Sequence, residues 1–316
     1  MEELGQPRAI IVALLLFAGT VLPSPDSRAL GAENSPCDTT AQATFRSCQA
    51  GARGDYWTAV ANCRNLPDVT ATKPCRKTAS ADLKDALDGC NAQDEARDTV
   101  CSRLGPGSYN PVIDPANFVS TIDNPYFPLV PGTTFIYEGQ TAAGLEHNEV
   151  FVTHNTGVIK GVTCTEVHDT VRLNGVLTED TLDWFAQDKF SRVWYMGENS
   201  QELTDGLPTS LEGSWVGGVD GAQPGIIMEA MPAVGDFYRQ EFLPGTAEDL
   251  AEVVSLAESV TVAAGQFDNC LKTKETSSLE PDTLEYKFYF KGVGNVLTLD
   301  TVTGERLELI SVTTGG

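Results

Sequence analysis

Positive charge is scarce in this chain. Twenty-one lysines and arginines face 44 aspartates and glutamates, a formal net charge of −23 over 316 residues. Such a surface repels phosphate backbones and anionic headgroups, so neither nucleic acid nor a membrane surface is an expected partner. Histidine is scarcer still, with only His147, His154 and His168. The G-x-S-x-G elbow, the Walker loop, the H-E-x-x-H motif and a dinucleotide glycine fingerprint after a strand are all missing. Their absence removes the common signatures of acyl transfer, phosphate binding and nicotinamide chemistry. Long apolar runs are missing too, with one exception, "AIIVALLLFAGTVL" from Ala9 to Leu22. That run has signal-peptide length and is shorter than a bilayer-spanning helix requires. The small residues of "SRALGAEN" behind it suit cleavage near Gly31 or Ala32, although "MEELGQPR" ahead of it departs from the usual basic start. Residues 1–32 are expected to be a signal peptide, and the mature protein to be secreted or periplasmic with no stable membrane insertion.

Cysteine is present in a telling arrangement. Six of the eight, Cys37, Cys48, Cys63, Cys75, Cys90 and Cys101, are separated by steps of 11, 15, 12, 15 and 11 residues, a series that reads the same in both directions. Six cysteines allow about fifteen pairings, but a symmetric series matches two antiparallel helices whose cysteines come level in three pairs. Eleven residues make about three helical turns and fifteen a little over four, so each set holds one stripe of its helix. The predicted bridges are Cys37–Cys101, Cys48–Cys90 and Cys63–Cys75, with the turn at "NLPDVTATKP" between Pro67 and Pro74. Arg97 is the one charged residue on the second helix's inner stripe. The close cysteine pairs of a zinc site are absent, and a bridged hairpin implies an oxidising compartment. This segment occupies residues 33–104.

A connector follows over residues 105–132, in which Pro125, Pro128 and Pro131 recur with the period of polyproline II. Phe118, Tyr126 and Phe127 are expected to dock it onto the next domain. From residue 133 to 316 the pattern becomes short alternating runs separated by turn signals such as "LNGV". The expected fold class is mainly β: an antiparallel meander barrel or curved sheet preceded by the disulfide-stapled helical hairpin. One short helix is expected at "TAEDLAE", with Glu248, Asp249 and Glu252 in a solvated first turn.

The stretches "IDNPYFPLVPGTTFIYEG", "DTLDWFAQDKFSRVWYMGE", "GSWVGGVDGAQPGIIMEAMPAVGDFYRQEFLPGTAEDLAEV" and "FKGVGNV" resemble the signature blocks of a family of uncharacterised secreted bacterial proteins. The resemblance covers about residues 110–312. It implies export and a lipocalin-like β architecture, and it carries no catalytic residue.

Candidate sites are few. In "VTCTEVHDT" simple alternation puts Cys164, Glu166 and His168 on one strand face. In an oxidising compartment Cys164 is expected to bridge Cys270, leaving Glu166 and His168, with Asp183 or Glu179 as a further acid, as the candidate catalytic set of a hydrolase or isomerase. Glu179, Asp180, Asp183 and Asp188 suggest calcium but lack the glycine-centred loop of an EF-hand; no cofactor is expected, with calcium the alternative. Trp184, Trp194, Tyr286 and Phe288 are the expected lining of a barrel cavity. The reading that results is a non-enzymatic barrel for a small apolar or lipidic ligand. The alternatives are the hydrolase or isomerase, and an extracellular cation-binding or interaction module.

Overall fold

The computed structural model describes residues 35–315; the expected signal peptide lies outside the described residues. Two antiparallel helices open the fold, α1 (Pro36–Arg64) and α2 (Thr72–Leu104). Ser35 starts α1 through a capping box: its hydroxyl accepts from the Asp38 N–H while the Asp38 carboxylate accepts from the Ser35 N–H. Gly105, with φ 97°, ends α2. The three bridges are those the spacing predicts, Cys37–Cys101, Cys48–Cys90 and Cys63–Cys75. Few apolar side chains are buried along this pair, so cross-links at about 2–4 kcal/mol each supply what a two-helix core cannot.

The strands are β1 (Phe118–Val119), β2 (Thr133–Thr141), β3 (Gly144–Ile159), β4 (Val162–Leu173), β5 (Val176–Asp188), β6 (Val193–Thr204), β7 (Leu207–Ser210) and β8 (Trp215–Val216). They continue as β9 (Gln223–Met228), β10 (Phe237–Arg239), β11 (Glu241–Phe242), β12 (Asp249–Val262), β13 (Gly265–Ser277), β14 (Glu285–Phe290), β15 (Gly294–Asp300) and β16 (Arg306–Thr314). The hydrogen-bonded path runs β10, β12 through β16, then β2 through β6, β9 and β11, antiparallel throughout. The two ends of that path approach each other, giving a nearly closed barrel. The Asn-Gly signal holds: Asn174 and Gly175 both take positive φ, 51° and 83°, and turn β4 into β5.

One end of the barrel is plugged. The segment before β2 is not an extended polyproline connector. The Leu129 N–H donates to the Ile122 carbonyl and the Phe127 N–H to the Asn124 carbonyl, folding it into a compact loop. Gln187 Oε1 accepts from the N–H groups of Asp123 and Asn124, and the Asn124 amide donates to the carbonyls of Ser191 and Glu229. Pinned this way, the loop buries Ile122, Tyr126 and Leu129 in the core, with Phe127 against Phe185 and Phe118 against Trp194.

The β12–β13 hairpin is longer than the barrel wall needs. Irregular pairing between Val253 and Ser259, together with Asn269 at φ 60°, bends its far half over the outside of β14–β16. Arg306 Nη2 donates to the Thr261 carbonyl, and the Ala264 N–H to that of Leu309, tying the arm down. Phe288 and Leu297 are buried there, with Phe267 of the arm against Phe290.

The expected helix at "TAEDLAE" is not formed. The segment enters β12, where Asp249 through Val253 pair with β13 and Leu250 through Glu252 with β10. Glu248, Asp249 and Glu252 therefore diverge. Glu248 is 1% exposed and bonded to Arg97, Asp249 lines the barrel mouth, and Glu252 pairs with Arg103. The charged residue on the inner stripe of α2 thus has a purpose. Arg97 joins the hairpin to the barrel through Nε and Nη2 bonds of 2.8–3.1 Å to Glu248.

The fourth bridge is also absent. Cys164 and Cys270 are free and buried, because β4 neighbours β3 and β5 whereas β13 neighbours β12 and β14. The Cys164 thiol bonds to the Val162 carbonyl and the Cys270 thiol to that of Phe267. Burial pushes both up to about 11, so neither is a thiolate at neutral pH.

Candidate functional site

The open end of the barrel holds a cavity of about 1060 Å³, walled on one side by the hairpin through Thr44, Ser47, Gln93 and Arg97. Its chemistry follows from strand alternation. On β14 the polar set Glu285, Lys287 and Tyr289 faces in and the apolar set Tyr286, Phe288 and Phe290 faces out, beneath the bent arm and Lys272. On β13, Glu275 faces in, on β5 Asp183, and on β6 Glu198 and Glu202. Deeper towards the plug the same inward faces become apolar, with Val152, Val167, Leu271 and Val253 in the core.

Eight carboxylates line the cavity against two cations. Both cations are already engaged: Arg97 by Glu248, and Lys287 by a 2.8 Å bond to Glu275. Burial works against the charge on Lys287, but Glu275 and Glu285 outweigh it and hold its pKa above the ordinary lysine value. Glu275 also accepts from Thr273 and from the Tyr289 hydroxyl. Its neighbour Tyr238 is 8% exposed and its hydroxyl finds no partner among the described residues.

The remaining acids cannot all be ionised. Two like charges about 4 Å apart repel by about 4 kcal/mol at an effective dielectric of about 20, and burial adds to the cost of charging. Burial, opposed by a 2.5 Å hydrogen bond from the Tyr195 hydroxyl, pushes Asp183 up to about 7. Burial and the charge on Asp183 push Glu198 up to about 8. Burial, then Asp249 and Glu198, hold Glu241 well above the carboxylate range, although Trp215 Nε1 donates to it. At neutral pH the cavity is a partly protonated carboxyl array. It accepts hydrogen bonds, donates some, and gains from any positive charge that enters.

The expected catalytic set does not assemble. Glu166 and His168 lie on the outer face of β4, and Asp183 faces in from β5. His168 Nε2 is 2.8 Å from Asp180, both more than a third exposed, and Glu166 accepts from Thr153 and Asn155. Alternation likewise divides the calcium set. Glu179 and Asp183 turn inward and Asp180 outward, while Asp188 is held near the plug by Arg192 and Trp194. No group of three or more histidine, cysteine or acidic residues among the described residues is placed to hold a metal.

None of the four aromatic candidates lines the cavity. Trp184 lies over Gly157, Trp194 is buried near the plug, and Tyr286 and Phe288 face outward beneath Lys272. Glu198, Glu241, Glu275, Lys287 and Tyr195 were not among the candidates. On β14 their signal is the polar phase that alternates with the aromatic phase of Tyr286 and Phe288, the pair expected to line the cavity. No family model, curated protein or solved structure matches the chain.

Proposed function

We propose that this is an exported β-barrel binding protein whose cavity takes a small organic cation. The observation that carries the reading is the excess of carboxylates in a cavity of about 1060 Å³ whose two cations are already paired. An ammonium group there replaces protons on Glu198 or Glu241 and relieves their mutual repulsion. An apolar or lipidic ligand is less well served, because an acyl chain would desolvate the carboxyls without pairing them. Export is supported by three disulfides and by the leader-like run at Ala9–Leu22.

Calorimetric titration with spermidine, hexane-1,6-diamine, decanoate and decanol tests this reading. Both amines are expected to bind with proton release, seen as a buffer-dependent heat near pH 7.5. Glu198→Gln is expected to weaken them by about tenfold or more. Retention of decanol or decanoate with no heat from either amine would return the cavity to an apolar ligand.

A further inference from the structure

A second, smaller cavity has the opposite character. It measures about 300 Å³ and lies between the hairpin, residues 104–109 and the β9–β12 region. Two arginines line it, Arg97 and Arg239, only 5% and 6% exposed. On a chain of net charge −23, two buried guanidiniums facing one space need an explanation, since arginine does not shed its proton.

Among the described residues the only carboxylate lining this space is Glu248, and its oxygens are taken. They accept from Nε and Nη2 of Arg97 and from the Gly245 N–H at 2.7 Å. Arg97 Nη1 is left without an acceptor among the described residues, and so is Nη1 of Arg239. Arg239 is in no ion pair among the described residues. Its guanidinium lies over the ring of Phe242 at 4.0 Å, with Tyr109 at 5.5 Å, which supports its face but satisfies none of its N–H groups. The Glu248 charge also acts on Arg239, but its oxygens are committed to Arg97 and Gly245, so two buried guanidiniums share one carboxylate.

We infer that this cavity is a binding site for a small organic carboxylate, its anionic end held by Arg239 and the free Nη1 of Arg97. The walls give the rest of the ligand. Ala41, Leu104, Tyr109 and Phe242 line the same space, so an aromatic or short acyl body fits beside the guanidiniums better than a bare inorganic anion. A planar carboxylate also matches the two-pronged donor geometry of arginine. At roughly 30 Å³ per water-sized volume, the space takes a ligand on the scale of benzoate. Its occupation would join α2, the connector and the barrel around one charge. The site takes an anion where the larger cavity takes a cation, although Arg97 and Thr44 line both.

Ligand-observed NMR and calorimetry with benzoate and hexanoate test it, with benzamide as the neutral isostere and inorganic phosphate as the bare anion. Saturable benzoate binding is expected, with benzamide and phosphate at least about tenfold weaker. Arg239→Leu is expected to abolish benzoate binding, whereas Glu198→Gln leaves it unchanged. Should Arg239→Leu fail to fold, Ala41→Phe fills the space with both arginines retained in the sequence and is expected to block benzoate equally. Equal affinity for benzoate and benzamide, stronger binding of phosphate, undiminished binding in both variants, or no saturable binding to the wild-type protein would each overturn the assignment.

Discussion

At the scale of single residues, the acids inside the barrel set a pH dependence that an acidic protein would not ordinarily show. Asp183 and Glu198 take up protons on folding, because their folded pKa values of about 7 and about 8 lie above the unfolded carboxylate range. Between about pH 4 and those values the native state binds more protons than the unfolded one, so unfolding free energy falls as pH rises. Each such group contributes a slope of up to about 1.4 kcal/mol per pH unit. The urea midpoint is therefore expected to be higher at pH 5.5 than at pH 8.5, and Glu198→Gln to flatten the difference. A midpoint that climbs across this range would mean that the interior carboxyls are charged in the native state. None of this was legible in the residues themselves. Asp183 was visible as an acid, but its burial depends on β5 turning that face inward, and Asp180, three residues earlier, is identical in type and solvent-facing.

At the scale of elements, the hairpin and the barrel differ in how far they could be read. The hairpin's pairing followed from spacing alone, because a covalent bond demands two cysteines at one level and helical rise fixes where that level falls. Strand positions were also recoverable from alternation and turns. The sense of each strand was not, because alternation says that two faces differ and leaves open which one is covered. On β14 the apolar face Tyr286, Phe288 and Phe290 points away from the barrel axis and is covered by the bent half of β12–β13. That arm depends on irregular pairing near Ser255 and Glu258 and on positive φ at Asn269, features with a weak sequence signal. Phe288→Ala is accordingly expected to cost about 3–5 kcal/mol, the loss of a core residue despite its outward position. Trp57→Ala, at a side chain 63% exposed, is expected to stay within about 0.5 kcal/mol. Chemical denaturation of the two variants separates these figures, and similar losses at both sites would mean the arm does not seal the sheet.

At the scale of the whole molecule, the barrel has one end filled by its own connector and the other walled by a cross-linked hairpin. The plug is held by hydrogen bonds and apolar burial alone, through Asn124, Gln187, Ile122 and Leu129. The hairpin has little core and depends on its bridges internally and on Arg97–Glu248 and Arg103–Glu252 externally. The three bridges, the helical cap and the β class were legible because cysteine spacing and alternation are local. The two cavities were not, since each is assembled from segments far apart in the chain, as with Arg97 and Arg239. Reduction should therefore act on one end only. With the three bridges opened, the hairpin loses roughly 2–4 kcal/mol per link, and with it the wall shared by both cavities. The barrel keeps its plug and its sheet. Reductant is expected to lower helical ellipticity and the affinity for amine and benzoate alike, while amide exchange stays slow at Val152, Val253 and Leu271, all buried near the plugged end. Exchange that accelerates in the barrel core along with the helices would show instead that the hairpin and barrel fold as one cooperative unit, with the disulfides supporting both.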